Sequence, residues 1–206
     1  MDLEEMGQTV KTYRDSADAL AAYYEGIGPR VEDIDRAMAL WGDRLPVVLE
    51  IGCGAGRDAR EIVKRTPYYW GIDISPRMIE IAYETVPYGY FEVGHLRYPP
   101  RNARFDIIFA FAALLHSDEE EVEMVLHRCG TIINAGGIFY ISLKMGSGKI
   151  VQEDEFGTRT FYYYQPEDIE RLAGDAFETV LVDTQRIGST DWFTIALRKR
   201  DHAGTA

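Results

Sequence analysis

The stretch LEIGCGAGRD, Leu49–Asp58, decides the fold that this sequence predicts. Gly52, Gly54 and Gly56 alternate after the apolar run PVVLEI and before a charged segment that favours a helix. A glycine-rich turn between a strand and a helix exposes backbone N–H groups at the positive end of the helix dipole, with no Cβ atoms to hold a ligand away. We therefore expect a loop that binds a nucleotide or a carboxylate.

Apolar runs of strand length alternate with helical patterns along the rest of the chain. This alternation predicts an α/β fold, a parallel sheet with helices on both faces. The predicted strands are 46–51, 68–74, 88–93, 105–111, 138–143, 177–184 and 192–199, and the predicted helices are 16–26, 31–42, 57–65, one that starts at Ser75 with Pro76 in its first turn, 117–134 and 166–174.

Three local features refine this outline. Only a turn separates FETVLVDT from WFTIALRK, so we expect an antiparallel hairpin that gives the sheet one reversed strand near its edge. The run from Lys144 to Gln165 has no clear periodicity and three glycines, which is typical of a lid or a binding loop. Ser117 and Glu120 match the capping-box pattern at the start of a helix.

Composition limits the classes of function. The length of 206 residues favours a single domain, with residues 1–44 as an N-terminal helical cap and residues 45–206 as the core. A net charge of −12 disfavours nucleic acid as a partner. The acidic start MDLEEMGQTV and the lack of long apolar runs predict a cytoplasmic protein without a membrane partner. Cys53 and Cys129 follow no disulfide or metal spacing, and no metal site is predicted.

Two classes of cofactor compete for the glycine loop. A dinucleotide fingerprint reads G-x-G-x-x-G or G-x-G-x-x-A, and counting from Gly52 its last position falls on Arg57. Because arginine is too large for close packing of helix on sheet, this residue weakens the nicotinamide interpretation.

The sequence resembles the class I S-adenosylmethionine-dependent methyltransferases. Glu50 and the three glycines fit the first motif of that family, an acidic residue followed by G-x-G-x-G, and Asp73 stands where the family has the acid that binds the ribose hydroxyls. The likeness continues through FDIIFAFAALLH and AGGIFYISLK to the terminal hairpin. The segments GCGAGRDAREI, FAFAALLH, ISLKMGSGK and RTFYYY are similar to small bacterial tellurite-resistance-type methyltransferases of unassigned substrate.

This resemblance implies a fold and a cofactor. The fold is a Rossmann-like, three-layer αβα arrangement whose seven-stranded, mostly parallel sheet has an antiparallel C-terminal strand. The cofactor is S-adenosyl-L-methionine. One position departs from the family, because His95 replaces the usual adenine-binding Asp, and a neutral imidazole can accept the same bond. The implied cofactor-binding residues are Glu50, Gly52, Cys53, Gly54, Gly56, Asp73, Ile74, His95, Leu96 and Phe111.

The methyl acceptor in this family lies beyond the ends of the first and fourth strands. His116 directly follows the fourth predicted strand and is our candidate for a catalytic base or for orienting the substrate; alternatively it only fills space. Tyr13 and Tyr23 are candidate substrate-binding residues, because they fall where the family's N-terminal segment closes over the cofactor; alternatively they pack in the core. Lys144 and Arg159 bind an anionic or aromatic substrate, or they are solvated.

The predicted function is methyl transfer from S-adenosylmethionine to a small-molecule acceptor, with release of S-adenosylhomocysteine. A non-catalytic cofactor-binding protein that works through protein contacts stays open, and so does the less favoured nicotinamide-dependent oxidoreductase. The sequence assigns neither the acceptor atom nor an oligomeric state.

Overall fold

A seven-stranded sheet forms the centre of the molecule. The computed structural model describes residues 3–201, and side chains from residue 7 onward. The sheet strands are β1 (Val48–Ile51), β2 (Tyr69–Asp73), β3 (Tyr90–Val93), β4 (Phe105–Phe111), β5 (Ile133–Lys144), β8 (Phe177–Ile187) and β9 (Thr190–Lys199), and β6 (Lys149–Asp154) and β7 (Gly157–Tyr162) form a separate hairpin. The helices are α1 (Leu3–Asp15), α2 (Ala17–Ile27), α3 (Val31–Trp41), α4 (Ala59–Ile62), α5 (Pro76–Thr85), α6 (Glu119–Ile132) and α7 (Pro166–Ala173).

The strand order in the sheet is β3-β2-β1-β4-β5-β9-β8. Strands β1 to β5 are parallel to one another, whereas β9 is antiparallel to both β5 and β8. The predicted fold class, with its C-terminal hairpin and one reversed strand beside the edge, is therefore confirmed.

Helices cover both faces of the sheet because the central strands are apolar on both sides. All four residues of β1 are buried. Val48 faces a core with α3, α4 and α5, and Leu49 faces a second core with α6 and α7. This three-layer arrangement leaves the strand ends as the place where loops can form a site.

The three N-terminal helices have different positions. α3 packs on β4 and β5, and Tyr140 of β5 donates a hydrogen bond to Asp33 of α3 at 2.9 Å. α1 contacts β7, and α2 contacts α5. The division into a cap of residues 1–44 and a core of residues 45–206 remains a prediction. Within the first of these ranges, α3 packs directly on the sheet.

The segment expected to be a lid or binding loop is the β6–β7 hairpin. Its antiparallel pairing runs from Lys149 with Tyr162 to Asp154 with Gly157. The sequence gives no strand signal for β6 because five of its six residues are exposed, so no apolar face marks it. Thr12 of α1 donates to the carbonyl of Thr158 at 2.7 Å, which ties the hairpin to the N-terminal helix.

Helix boundaries differ from the prediction at two places. α4 spans Ala59–Ile62 and is shorter than the predicted 57–65, because turns flank it on both sides. The cap of α6 is Asp118, whose side chain accepts the N–H of Glu121 at 3.0 Å, so the predicted Ser117–Glu120 box is wrong. The predicted Ser75 cap of α5 is confirmed. Over residues 3–201, none of the helices has both the length and the apolar character that crossing a bilayer requires.

Replacing Asp118 should destabilise the start of α6. Asp118→Ala removes the acceptor of the Glu121 N–H, and we expect a loss of about 1 kcal/mol in the free energy of unfolding. Thermal unfolding followed by circular dichroism should show a midpoint lower by roughly 2 to 4 °C. Glu120→Ala changes an exposed residue of the same turn and is the control; an equal loss in this variant would contradict the assignment of the cap.

Candidate active site

A cavity of about 1390 Å³ lies at the carboxyl ends of β1, β2 and β4. Its volume exceeds the roughly 300 to 1,000 Å³ of a typical ligand pocket. The strand order reverses between β1 and β4, which is where open α/β sheets bind ligands. The predicted site residues that line it are Tyr13, Tyr23, Gly52, Cys53, Gly54, Asp73, Ile74, His95, Leu96, Phe111, His116, Lys144 and Arg159.

Gly52 and Gly54 serve the glycine loop in different ways. A Cβ on Gly52 would lie 2.6 Å from the Cβ of Ala113, so this glycine lets the loop pack on the turn after β4. Gly54 has a φ of +53°, and a Cβ there would meet no atom within 4 Å. Its backbone therefore faces open space in the cavity wall.

Asp73 ends β2 and joins the glycine loop to the next turn. Its Oδ2 accepts the N–H of Gly54 at 3.0 Å, and its Oδ1 accepts the N–H of Ser75 at 2.9 Å. Burial raises the pKa of this carboxyl, and the backbone N–H groups oppose that effect. Since each carboxylate oxygen has two lone pairs, both oxygens can accept a further donor from the cavity.

Glu50 and Gly56, both expected to bind the cofactor, are not among the residues that line the cavity. Side chains alternate along β1, so Glu50 lies on the same buried face of the sheet as Val48, where it accepts the hydroxyl of Tyr69 at 2.6 Å. Burial, with the nearby Asp58 carboxylate, raises the pKa of Glu50 to about 8. Gly56 packs against Ala82 of α5. Both residues therefore support the glycine loop without lining the cavity.

His95 and Leu96 form the wall after β3. Nδ1 of His95 accepts the N–H of Arg97 at 3.1 Å, and burial lowers the pKa of the ring. The neutral ring therefore carries its hydrogen on Nε2 and offers a donor, not the acceptor expected in place of the family Asp. Glu121 of α6 lines the same cavity, is 2% exposed and accepts from Nε of Arg97 at 2.5 Å.

Sequence reasoning missed Arg30 and its surroundings. The N–H of Arg30 donates to Oδ1 of Asp58 at 2.8 Å, and Arg57 pairs with Oδ2 of the same carboxylate. The Arg30 guanidinium lies 5.5 Å from the ring centroid of Phe111 and 5.6 Å from that of Trp192, which lines the cavity. No local pattern marks these contacts, because Arg30 and Asp58 are 28 positions apart.

His116 and Tyr13 form a hydrogen-bonded pair in the cavity wall. Nδ1 of His116 lies 2.6 Å from the carbonyl oxygen of Thr160 and therefore donates to it, so Nε2 accepts the Tyr13 hydroxyl at 2.9 Å. Burial, aided by the Arg159 and Lys144 cations, lowers the pKa of His116 to about 4. At neutral pH the ring is neutral with both nitrogens engaged, which suits orientation of Tyr13 better than proton abstraction.

Lys144 and Arg159 converge on the ring of Phe161. Nζ of Lys144 is 3.6 Å from the ring centroid, and Cζ of Arg159 is 5.3 Å from it. Arg159 is buried and pairs with Asp154 of the same hairpin. Burial and the adjacent Arg159 lower the pKa of Lys144. Tyr23 is 52% exposed and stands at the rim.

A methyltransferase domain family matches residues 48–137 of the chain. Over these residues the chain resembles a methyltransferase domain. Solved structures share the fold of the domain and its flanking elements. A methyltransferase of Methanosarcina mazei aligns with a TM-score of 0.70 and 17% identity over 81% of this chain and 96% of its own. The amino pentose methyltransferase CalS10 of Micromonospora echinaspora, solved with S-adenosylmethionine, has a TM-score of 0.67 and 18% identity over 88% and 97%.

Curated relatives match less than half of this chain. An uncharacterized methyltransferase of Anoxybacillus flavithermus is 32% identical over 92 residues, which are 44% of this chain and 43% of that protein. Magnesium-protoporphyrin O-methyltransferase of Rhodobacter capsulatus is 28% identical over 102 residues, 47% of this chain and 45% of that protein. The chain thus covers less than half the length of these relatives.

Glu50 should make stability fall as the pH rises. Its folded-state pKa of about 8 exceeds the ordinary 4.5. The protonated Glu50 therefore makes its full contribution to the free energy of unfolding below about pH 4.5, and this contribution is lost as the pH rises through about 8. Glu50→Gln keeps an acceptor for Tyr69 and cannot ionise. We expect wild type and Glu50→Gln to have equal thermal unfolding midpoints near about pH 5. At about pH 9, the midpoint of the variant should be roughly 4 °C or more above that of wild type. Glu123→Gln, at an exposed position, is the control; a gap independent of pH would contradict the prediction.

Replacing each of the two cavity-lining glycines with alanine should distinguish the stability lost to close packing from the stability lost to backbone strain. Both residues have a positive φ, +71° at Gly52 and +53° at Gly54, but only Gly52 abuts another residue. We expect Gly52→Ala to lose about 1 to 3 kcal/mol more stability than Gly54→Ala, because the added methyl overlaps Ala113. Urea unfolding of both variants measures the difference, and similar losses would show that strain alone matters.

Proposed function

We propose that this protein transfers a methyl group from S-adenosylmethionine to a small-molecule acceptor and releases S-adenosylhomocysteine. The bond from the Gly54 N–H to Asp73 carries the proposal, because it fixes the glycine loop beside a carboxylate that could accept the hydroxyls of a diol, on one wall of a large cavity. The methyltransferase domain match and the fold shared with CalS10, which was solved with S-adenosylmethionine, support the same cofactor.

The residues present fit the parts of this cofactor. The open space in front of Gly54 lets a ligand reach the backbone, and the two oxygens of Asp73 suit the ribose hydroxyls. Ile74, His95 and Leu96 would hold the adenine, with His95 as a hydrogen-bond donor. The proposed cofactor-binding residues that line the cavity are Gly52, Cys53, Gly54, Asp73, Ile74, His95, Leu96 and Phe111.

Bound S-adenosylmethionine supplies an electrophilic methyl group on a positively charged sulfur. The protein's part is to hold the acceptor in line and to exclude water. Tyr13, Tyr23, Lys144 and Arg159, on the N-terminal helices, β5 and the β6–β7 hairpin, would contact the acceptor. His116 would orient Tyr13 through the bond to its Nε2.

We also propose a cytoplasmic location and one domain of 206 residues. Both cysteines, Cys53 and Cys129, are buried free thiols, as suits a reducing compartment. Side chains of residues 7–201 form no cluster of three or more His, Cys, Asp or Glu residues suited to a metal ion.

Replacing Asp73 should weaken cofactor binding. Asp73→Ala removes both acceptors for the ribose, which should cost on the order of 2 to 3 kcal/mol, or roughly 30- to 150-fold in Kd for S-adenosylhomocysteine. Isothermal titration with S-adenosylhomocysteine, and with NAD for comparison, measures the change. Asp175→Ala, at an exposed position that does not line the cavity, is the matched control.

Two results would contradict the proposal. Equal affinity of wild type and Asp73→Ala, with the fold of the variant verified by circular dichroism, would show that the cofactor binds elsewhere. Tighter binding of NAD would favour an oxidoreductase. Binding of S-adenosylhomocysteine without methylation of any acceptor in a pool of small molecules would favour the non-catalytic interpretation.

A further inference from the structure

We propose that the acceptor is a small planar carboxylate, bound as an anion by Lys144 and methylated on a carboxylate oxygen without a general base. The proposal rests on the proposed methyl transfer and names the class of its acceptor. It follows from the charges, the hydrogen bonds and the ring geometry at the Phe161 side of the cavity.

The first argument is an excess of positive charge beside Phe161. Lys144 and Arg159 are the two cations there, and Asp154 is the carboxylate that the structure pairs with Arg159. Among the described side chains of residues 7–201, Nζ of Lys144 has ring contacts with Phe161 and Tyr163 but no hydrogen bond or ion pair. The two cations therefore share the Asp154 carboxylate in a concave, half-buried place, and the net positive charge there attracts an anion.

This local positive charge is opposite in sign to the net charge of the protein, which is −12. A lysine on the protein surface would contribute the same charge to the net charge while staying in water. Holding Lys144 half-buried beside Arg159 costs stability, since desolvation and the neighbouring cation both disfavour its charged form. An anionic ligand bound there would offset this cost.

The second argument is that the described groups here provide no positioned proton acceptor. Both nitrogens of His116 are engaged, by the carbonyl of Thr160 and the hydroxyl of Tyr13. The Asp154 carboxylate is occupied by Arg159 and the N–H of Phe156. An alcohol, a thiol or a protonated amine must lose a proton on methylation, whereas a carboxylic acid with a pKa near 4 is already ionised at neutral pH.

The third argument is shape. The rings of Phe161 and His116 lie 4.8 Å apart, and the Tyr13 ring is 5.3 Å from that of His116. Nζ of Lys144 lies 3.6 Å from the Phe161 centroid and 5.9 Å from that of Tyr163. Flat aromatic surfaces beside a single ammonium group suit a planar acid better than a branched or bulky one.

The proposed step balances without any further reactant. A lone pair of the carboxylate oxygen forms the new O–C bond while the C–S bond breaks and its electron pair goes to sulfur. The negative charge of the acceptor and the positive charge of the sulfonium cancel, so the products are a methyl ester and S-adenosylhomocysteine, and no proton is released.

Binding of benzoate and of its uncharged analogue benzamide tests the anion site directly. Protein is first saturated with S-adenosylhomocysteine, which checks the proposed function separately, and is then titrated with each probe in a calorimeter. We expect benzoate to bind at least about tenfold more tightly than benzamide, and Lys144→Met to weaken benzoate at least about tenfold, or 1.4 kcal/mol. Lys149→Met, at an exposed position that does not line the cavity, should bind as wild type does.

Three results would overturn the carboxylate proposal while leaving the cofactor site intact. They are equal affinity for benzoate and benzamide, unchanged benzoate binding in Lys144→Met, and no benzoate binding to protein that binds S-adenosylhomocysteine. Lys144→Arg keeps the charge and should restore most of the affinity, which separates loss of charge from disturbed packing.

Proton release during turnover gives an independent readout. With a pool of aromatic and unsaturated carboxylic acids at neutral pH, S-adenosylhomocysteine should form without acidification of a weakly buffered solution. Turnover with alcohols, thiols or amines alone, with one proton released per methyl transferred, would show that the acceptor belongs to another class.

Discussion

The close approach of the glycine loop to the turn after β4 is the constraint on which the cavity depends. Gly52 leaves no room for a side chain against Ala113. The neighbouring Ala112 has a φ of 54° and is the only described residue other than glycine with a positive φ. The turn after β4 therefore has a strained backbone. Because the two loops touch, the first and fourth strands end at a common wall.

Asp73 completes this wall from the other side. Its carboxylate accepts one N–H from the glycine loop and one from the start of α5, so three elements are held by one side chain. The same two bonds leave acceptor capacity toward the cavity. One residue thus holds the loop in place and, in the proposed function, recognises the ribose.

Burial decides the chemical character of the ionisable groups around the cavity. It raises the pKa of Glu50 to about 8 and lowers that of His116 to about 4, so a carboxyl and an imidazole both tend to be neutral at physiological pH. Positive charge remains at Lys144 and Arg159. The Phe161 side of the cavity is therefore better suited to holding an anion than to removing a proton.

The order of strands and helices along the chain, the glycine loop and the position of Asp73 could all be predicted from the sequence, because they depend on local periodicity and on spacing along the chain. It also predicted the reversed strand, since a two-strand connection by a turn alone must be antiparallel. The β6–β7 hairpin escaped prediction because β6 has no apolar face. Three contacts could not be predicted without the folded structure: Glu50 accepts from Tyr69, Nδ1 of His95 is occupied, and Tyr13 bonds to His116 across 103 positions. Hydrogen bonding and burial set these roles, and both depend on neighbours that the fold brings from distant parts of the chain.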